Sequence, residues 1–128
     1  MTKPVFVRFF EELSIKDVPS VGGKNASLGE MYRKLKDQGI KVPNGFATTA
    51  EAYNYFLEST GLKQKIKDIL KDLDTKDTRN LMAHGKRVRA EILAVQLPTD
   101  FKKEIATAYK RLSAENNSKS LDVAVRSS

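Results

Sequence analysis

The spacing of apolar positions changes period several times along the chain. Val5-Phe6-Val7-Arg8-Phe9-Phe10 is a β-branched and aromatic run, and it predicts a strand. A loop follows from Asp17 to Lys24, carrying Pro19, Gly22 and Gly23. From Ala26 the spacing becomes helical, with Leu28, Met31, Tyr32 and Leu35 on one face and Gly39 as the stop. Val42-Pro43-Asn44-Gly45-Phe46-Ala47 reads as a turn entering a short extended piece. Thr48 and Glu51 have capping-box spacing, which predicts a helix that buries Tyr53, Phe56 and Leu57 and ends at Gly61. Leu62, Ile66, Ile69, Leu70 and Leu73 form the next stripe. Leu81, Val88, Ile92 and Val95 form another, closed by Pro98. Thr99 can cap a last helix with Phe101, Ile105, Ala108 and Leu112 inward. Val123-Ala124-Val125 shows little alternation and predicts a buried strand. The sum is an α+β, helix-dominated chain of about five helices with two or three short strands.

Composition narrows the class. At 128 residues, 40% hydrophobic and 30% charged, the chain suits one soluble globular domain with one core. With no Cys there is no disulfide framework, thiol nucleophile or thiolate metal site. A single His excludes a two-histidine metal centre. No apolar run approaches the roughly 20 residues that span a bilayer. No apolar segment of signal-peptide type follows Met1-Thr2-Lys3-Pro4, so the expected compartment is the cytoplasm.

The net charge of +7 raises polyanion binding as a function class. Its placement weakens that reading. Lys63, Lys65, Lys67, Lys71 and Lys76 alternate with Asp68, Asp72, Asp74 and Asp77, as expected of solvated helix faces. Lys86-Arg87 with Arg89, and Lys110-Arg111, are the best basic patches. Neither has interleaved aromatics for base stacking.

Two short elements carry candidate chemistry. Val21-Gly22-Gly23-Lys24-Asn25-Ala26-Ser27 joins a loop to a helix start. Glycines let a backbone approach a ligand closely, helix-start amides suit an anion, and Lys24 adds a full charge. The pattern is neither a P-loop nor a dinucleotide fingerprint. An ordinary glycine loop capped by Asn25 or Ser27 is the competing reading. Arg126-Ser127-Ser128 ends the last expected strand, where an Arg can grip a phosphate bidentately. An ordinary polar strand end is the alternative there.

Together the two elements resemble one family. Val21-Gly22-Gly23-Lys24-Asn25-Ala26-Ser27-Leu28-Gly29-Glu30-Met31, then Val42-Pro43-Asn44-Gly45-Phe46-Ala47-Thr48-Thr49, resemble the amino-terminal part of the phosphoenolpyruvate synthase family. Val125-Arg126-Ser127-Ser128 matches the start of a third motif, and Phe9-Phe10-Glu11-Glu12-Leu13 fits the family's opening strand. Pyruvate phosphate dikinase and rifampicin phosphotransferase share the domain. Their usual Gly after the Lys is Asn25 here.

The resemblance implies an ATP-grasp-type domain, a phosphohistidine domain and a barrel for pyruvate. It implies conversion of ATP, pyruvate and water to phosphoenolpyruvate, AMP and phosphate. Lys24 and Arg126 would be the ATP-phosphate ligands, and Gly22 and Gly23 would shape the loop that presents Lys24. The Mg2+ ligands, the phosphohistidine and the pyruvate site would lie outside residues 1–128. The expectation is thus a single partial domain cut from a longer enzyme, without catalytic or metal-ligating residues and inactive alone. Its partners would be ATP and the remaining domains, with no membrane and no nucleic acid. His84 falls outside any phosphohistidine motif and reads as structural. A basic polyanion binder and a purely structural module remain the alternatives.

Overall fold

The computed structural model describes residues 4–127. Two strands pair antiparallel, β1 (Val7–Phe9) and β2 (Phe46–Thr48), with Val7 opposite Thr48 and Phe9 opposite Phe46. Two 3-10 turns follow β1, at Phe10–Glu12 and Ile15–Asp17. Among the described residues six α-helices make up most of the rest: α1 (Val18–Val21), α2 (Gly23–Asp37), α3 (Ala50–Ser59), α4 (Leu62–Leu70), α5 (Thr78–Ala94) and α6 (Thr99–Glu115). The fold is therefore α+β and helix-dominated, with a two-stranded sheet.

The chain divides into two compact units, one up to Tyr53 and again from Asp100, the other Asn54–Thr99. In the first, Leu13, Val21, Ala26 and Ala47 form a buried cluster with Phe10 packed against it. Phe6 is fully buried, its ring centroid 5.2 Å from that of Phe101. The inward face of α6 is the expected one, with Phe101, Ala108 and Leu112 buried. Arg8 Nη1 lies 2.9 Å from Asp17 Oδ1 and ties β1 to the start of α1.

In the second unit, α4 and α5 pack together, with Leu62 and Ile69 buried. Asp77 caps α5, its carboxylate accepting from the amides of Arg79 and Asn80. His84 is buried on α5. Its Nδ1 lies 2.7 Å from the Asn80 carbonyl and its Nε2 lies 2.9 Å from Asp72 Oδ1. Both neighbours are acceptors. The Asp72 carboxylate first, then the Asn80 carbonyl, hold the imidazole pKa above its ordinary value. Asp72 is correspondingly held below the usual carboxylate range, chiefly by its bond to His84.

Four local expectations need correction. The segment expected as a loop from Asp17 to Lys24 contains the four-residue α1, and α2 begins at Gly23 rather than near Ala26. Pro19 suits a first helical turn, where its missing N–H costs nothing. The cap of α3 is Thr49, one residue later than Thr48. Thr48 is held in the β ladder, whereas the Thr49 hydroxyl accepts from the Ala52 amide at 3.0 Å and donates to the Val5 carbonyl at 2.6 Å. That register buries Ala52 and leaves Tyr53 56% exposed.

The fourth correction concerns Val123-Ala124-Val125, which has no regular secondary structure and is not a buried strand: Val125 is 91% exposed. A strand needs a ladder partner. Among the described residues the only sheet is the β1–β2 pair, and no strand lies beside this segment.

Candidate functional site

The glycine-lysine element sits at the junction of α1 and α2. Val21 ends α1 inside the core cluster. Gly22 then turns the chain with φ 84° and ψ 162°, a backbone region that only glycine occupies readily. Its amide closes α1 onto the Val18 carbonyl at 2.8 Å, and its carbonyl accepts from Ala26 at 3.0 Å to open α2. Gly22 is thus the shared cap of both helices. The amides of Gly23, Lys24 and Asn25 belong to the first turn of α2, where helix geometry supplies no acceptor. They carry the partial positive charge of a helix start.

Gly23 is in a different position from Gly22. It is exposed, and a Cβ built on it meets nothing within 4 Å. Nothing in the packing of the chain requires a glycine there. Asn25 does not cap the helix. Its Nδ2 instead donates to the Val21 carbonyl at 2.9 Å, spanning the turn from the other side.

The stretch from Leu121 to Ser127, which carries the arginine of this element, is held at both ends. Near its start, the Tyr109 hydroxyl donates to the Leu121 carbonyl at 2.6 Å and Leu121 N donates to Ser113 Oγ at 3.4 Å. At its far end, Lys24 Nζ donates to the Ser127 carbonyl at 2.8 Å, across a separation of 103 residues. The two elements singled out from sequence therefore meet. Arg126 precedes the bonded residue and is exposed. Among the described residues no partner engages its guanidinium.

The resulting surface is exposed and cationic. It combines an ammonium, a guanidinium one residue from the ammonium's hydrogen-bond acceptor, and a helix start beside an open glycine. This donor set suits an oxyanion such as phosphate. It does not suit a cation, and among the described residues no three His, Asp or Glu side chains cluster to hold a metal ion. Tyr109 and Ser113 shape the site without having been singled out for it, through contacts that no motif spacing encodes. Asn25, a cap candidate in the sequence, acts instead through its bond to Val21.

The comparisons with known proteins place the chain in a family. The family model described as pyruvate phosphate dikinase, AMP/ATP-binding domain, matches residues 18–128. The chain belongs to that family. It is 48% identical to a phosphoenolpyruvate synthase of Helicobacter pylori over 123 residues, which is 96% of this chain and 15% of that protein. It is 45% identical to the phosphoenolpyruvate synthase of a Synechocystis strain over 126 residues, 95% of this chain and 15% of the relative. It is 43% identical to that of Escherichia coli over 122 residues, again 95% of this chain and 15% of the relative. The chain thus spans about 15% of the length of these curated relatives. Among the described residues no helix is long and apolar enough to cross a membrane.

Proposed function

We propose that this chain is a single partial domain, the amino-terminal subdomain of an ATP-grasp-type nucleotide-binding domain in a phosphoenolpyruvate synthase. Lys24 and Arg126 would neutralise the phosphates of ATP. Gly22 would fix the turn, and Gly23 would leave room for the phosphate to approach the helix start. The parent reaction would convert ATP, pyruvate and water to phosphoenolpyruvate, AMP and phosphate in the cytoplasm. Such phosphoryl transfer depends on positioning and charge neutralisation, and Lys24 and Arg126 are suited to both. The phosphohistidine, the Mg2+ ligands and the pyruvate site would come from outside this chain, so the chain alone would be inactive.

The observation that carries this reading is the 2.8 Å bond from Lys24 Nζ to the Ser127 carbonyl. It supports a shared site for two motifs that lie at opposite ends of the sequence. The polyanion-binder alternative is weaker, because several basic side chains already face acids. Lys63 lies 3.4 Å from Glu58, Lys65 lies 3.6 Å from Glu91, and Arg111 is bonded to both Glu11 and Glu115.

An NMR titration with ATP tests the proposal. Amide shifts should concentrate at residues 22–26 and 125–127, and Lys24→Ala should abolish them. Shifts centred on α4, or none at millimolar ATP, would refute binding at this site by the chain.

A further inference from the structure

We infer that Asn25 is a positioning residue that holds the α1–α2 junction, and with it Lys24 in the first turn of α2, rigid for its anion, an inference that rests on the reading of Lys24 given above. Lys24 follows two glycines, Gly22 and Gly23, the most flexible backbone a chain can offer. Left alone, a helix junction and first turn built on them would lose much of their binding strength to ordering. The carboxamide of Asn25 counters that. Its Nδ2 reaches back to the Val21 carbonyl at 2.9 Å, closing a bridge across Gly22, Gly23 and Lys24. Val21 is only 2% exposed and packs with Leu13, Ala26 and Ala47. The junction is therefore fastened to the core on the α1 side through this bond and on the α2 side through the Ala26 amide on Gly22.

The bond also gives the last carbonyl of α1 a donor, since the final carbonyls of a helix have no intrahelical one. A side-chain donor here leaves the first-turn amides of α2 free for a ligand. A glycine or alanine at position 25 would supply no such donor, and an aspartate would keep the shape while placing a carboxylate oxygen against the carbonyl.

The test has one arm without nucleotide and one with it. In the first, hydrogen exchange of the Gly22 and Ala26 amides is followed by NMR in wild type, Asn25→Ala, Asn25→Asp and Asn25→Gln. Asn25→Ala and Asn25→Asp should exchange faster at these two amides by about three- to ten-fold, the weight of one hydrogen bond, while α6 amides stay unchanged. Asn25→Gln keeps a donor and should recover part of the protection. In the second arm, ATP affinity should fall by a similar factor of about three to ten in Asn25→Ala.

Unchanged exchange at Gly22 and Ala26 in both Asn25→Ala and Asn25→Asp would overturn the inference. So would unchanged ATP affinity in Asn25→Ala beside a lost response in Lys24→Ala. Wild-type affinity in Lys24→Ala would instead overturn the reading of Lys24, and with it the role assigned to Asn25. A general loss of structure in Asn25→Ala moves the decision to Asn25→Gln. Wild-type exchange there supports the donor's role, and exchange as fast as in Asn25→Asp refutes it.

Discussion

Gly29 lies in the middle of α2, where intrinsic propensity favours alanine by about 1 kcal/mol. Propensity alone therefore predicts that Gly29→Ala stabilises the protein. The structure predicts the reverse. A Cβ at this position would stand 2.4 Å from Leu13 Cβ and 3.1 Å from the carbonyl oxygens of both Phe10 and Leu13. Carbon atoms pack at roughly 3.5–4.0 Å, so the first contact is short by more than about 1 Å. Leu13 is fully buried, and the clashing atom is its Cβ, which no rotamer change can move.

Relief therefore requires α2 to shift away from the 3-10 turns, opening the cluster that Leu13 shares with Val21 and Ala26. Overpacking of this kind costs about 1–3 kcal/mol and occasionally more. A backbone-proximal clash with no soft neighbour belongs at the upper end. After the helix-propensity gain of about 1 kcal/mol, a net loss of about 2 kcal/mol remains. Urea unfolding followed by circular dichroism reads this directly. With a slope of about 1–3 kcal/mol per molar, the midpoint should drop by about 1 M with little change in slope. A midpoint at or above that of wild type would refute the packing argument and leave propensity in control.

The remaining predictions separate fold from site. Gly23→Ala should leave stability within about 0.5 kcal/mol of wild type, because its Cβ meets no neighbour, yet it should weaken ATP binding in calorimetry. Equal weakening of both would contradict the division proposed for the two glycines. Gly22→Ala should cost about 1–3 kcal/mol in the same urea assay, since alanine does not settle at φ 84° and ψ 162°. His84 should titrate above the ordinary imidazole value in an NMR pH series, held up by Asp72 and then by the Asn80 carbonyl. Because its folded pKa is raised, its contribution to stability is complete below the unfolded value and is lost as pH rises through the folded one. His84→Gln should flatten that alkaline-side decline, and an unchanged slope would exclude the latch with Asp72. Asp17 is held below the usual range by the Ser14 amide and by Arg8, so its contribution is present above the unfolded carboxylate value and lost as pH falls through the folded one. Asp17→Asn should weaken the protein at neutral pH and remove part of its acid sensitivity.

Much of this fold could be read from side-chain period. The inward residues of α6, the stop near Gly39 and the extended piece at Phe46 follow from rules that act within one turn or one strand. Readings failed where a distant partner decides. Whether Thr48 or Thr49 caps α3 depends on which one the β1–β2 ladder claims, a choice made by residues about forty positions away. Leu81 has the right period to be inward yet is 45% exposed, while the polar His84 is the buried residue of α5. Apolar spacing assumes that burial follows hydrophobicity. It does not anticipate an imidazole whose two nitrogens both find acceptors. Val123-Ala124-Val125 failed for the same reason, since composition describes a strand but cannot supply its partner.

The motif residues themselves divide into two groups once packing is known. Gly29 permits the close approach of α2, and Glu30 accepts from the Ile15 amide at 3.1 Å. Asn44 accepts from the Gly45 amide at 2.9 Å and donates to Glu115 at 3.1 Å. Gly45 leaves room for the Phe10 ring, and Phe46 lies against Phe9 with centroids 5.6 Å apart. Gly22 has its own backbone reason. All of these would be needed for the fold with no ligand at all. Gly23 and Lys24 are different, being exposed and, apart from the Lys24 bond to Ser127, free of any part in the packing. Across the two motif stretches, then, scaffold requirements account for these positions but not for Gly23 and Lys24. A nucleotide phosphate is the chemistry that would use both, the glycine for access and the lysine for charge. Substitutions at Gly29 should therefore show in unfolding curves, and substitutions at Lys24 in ATP titrations alone.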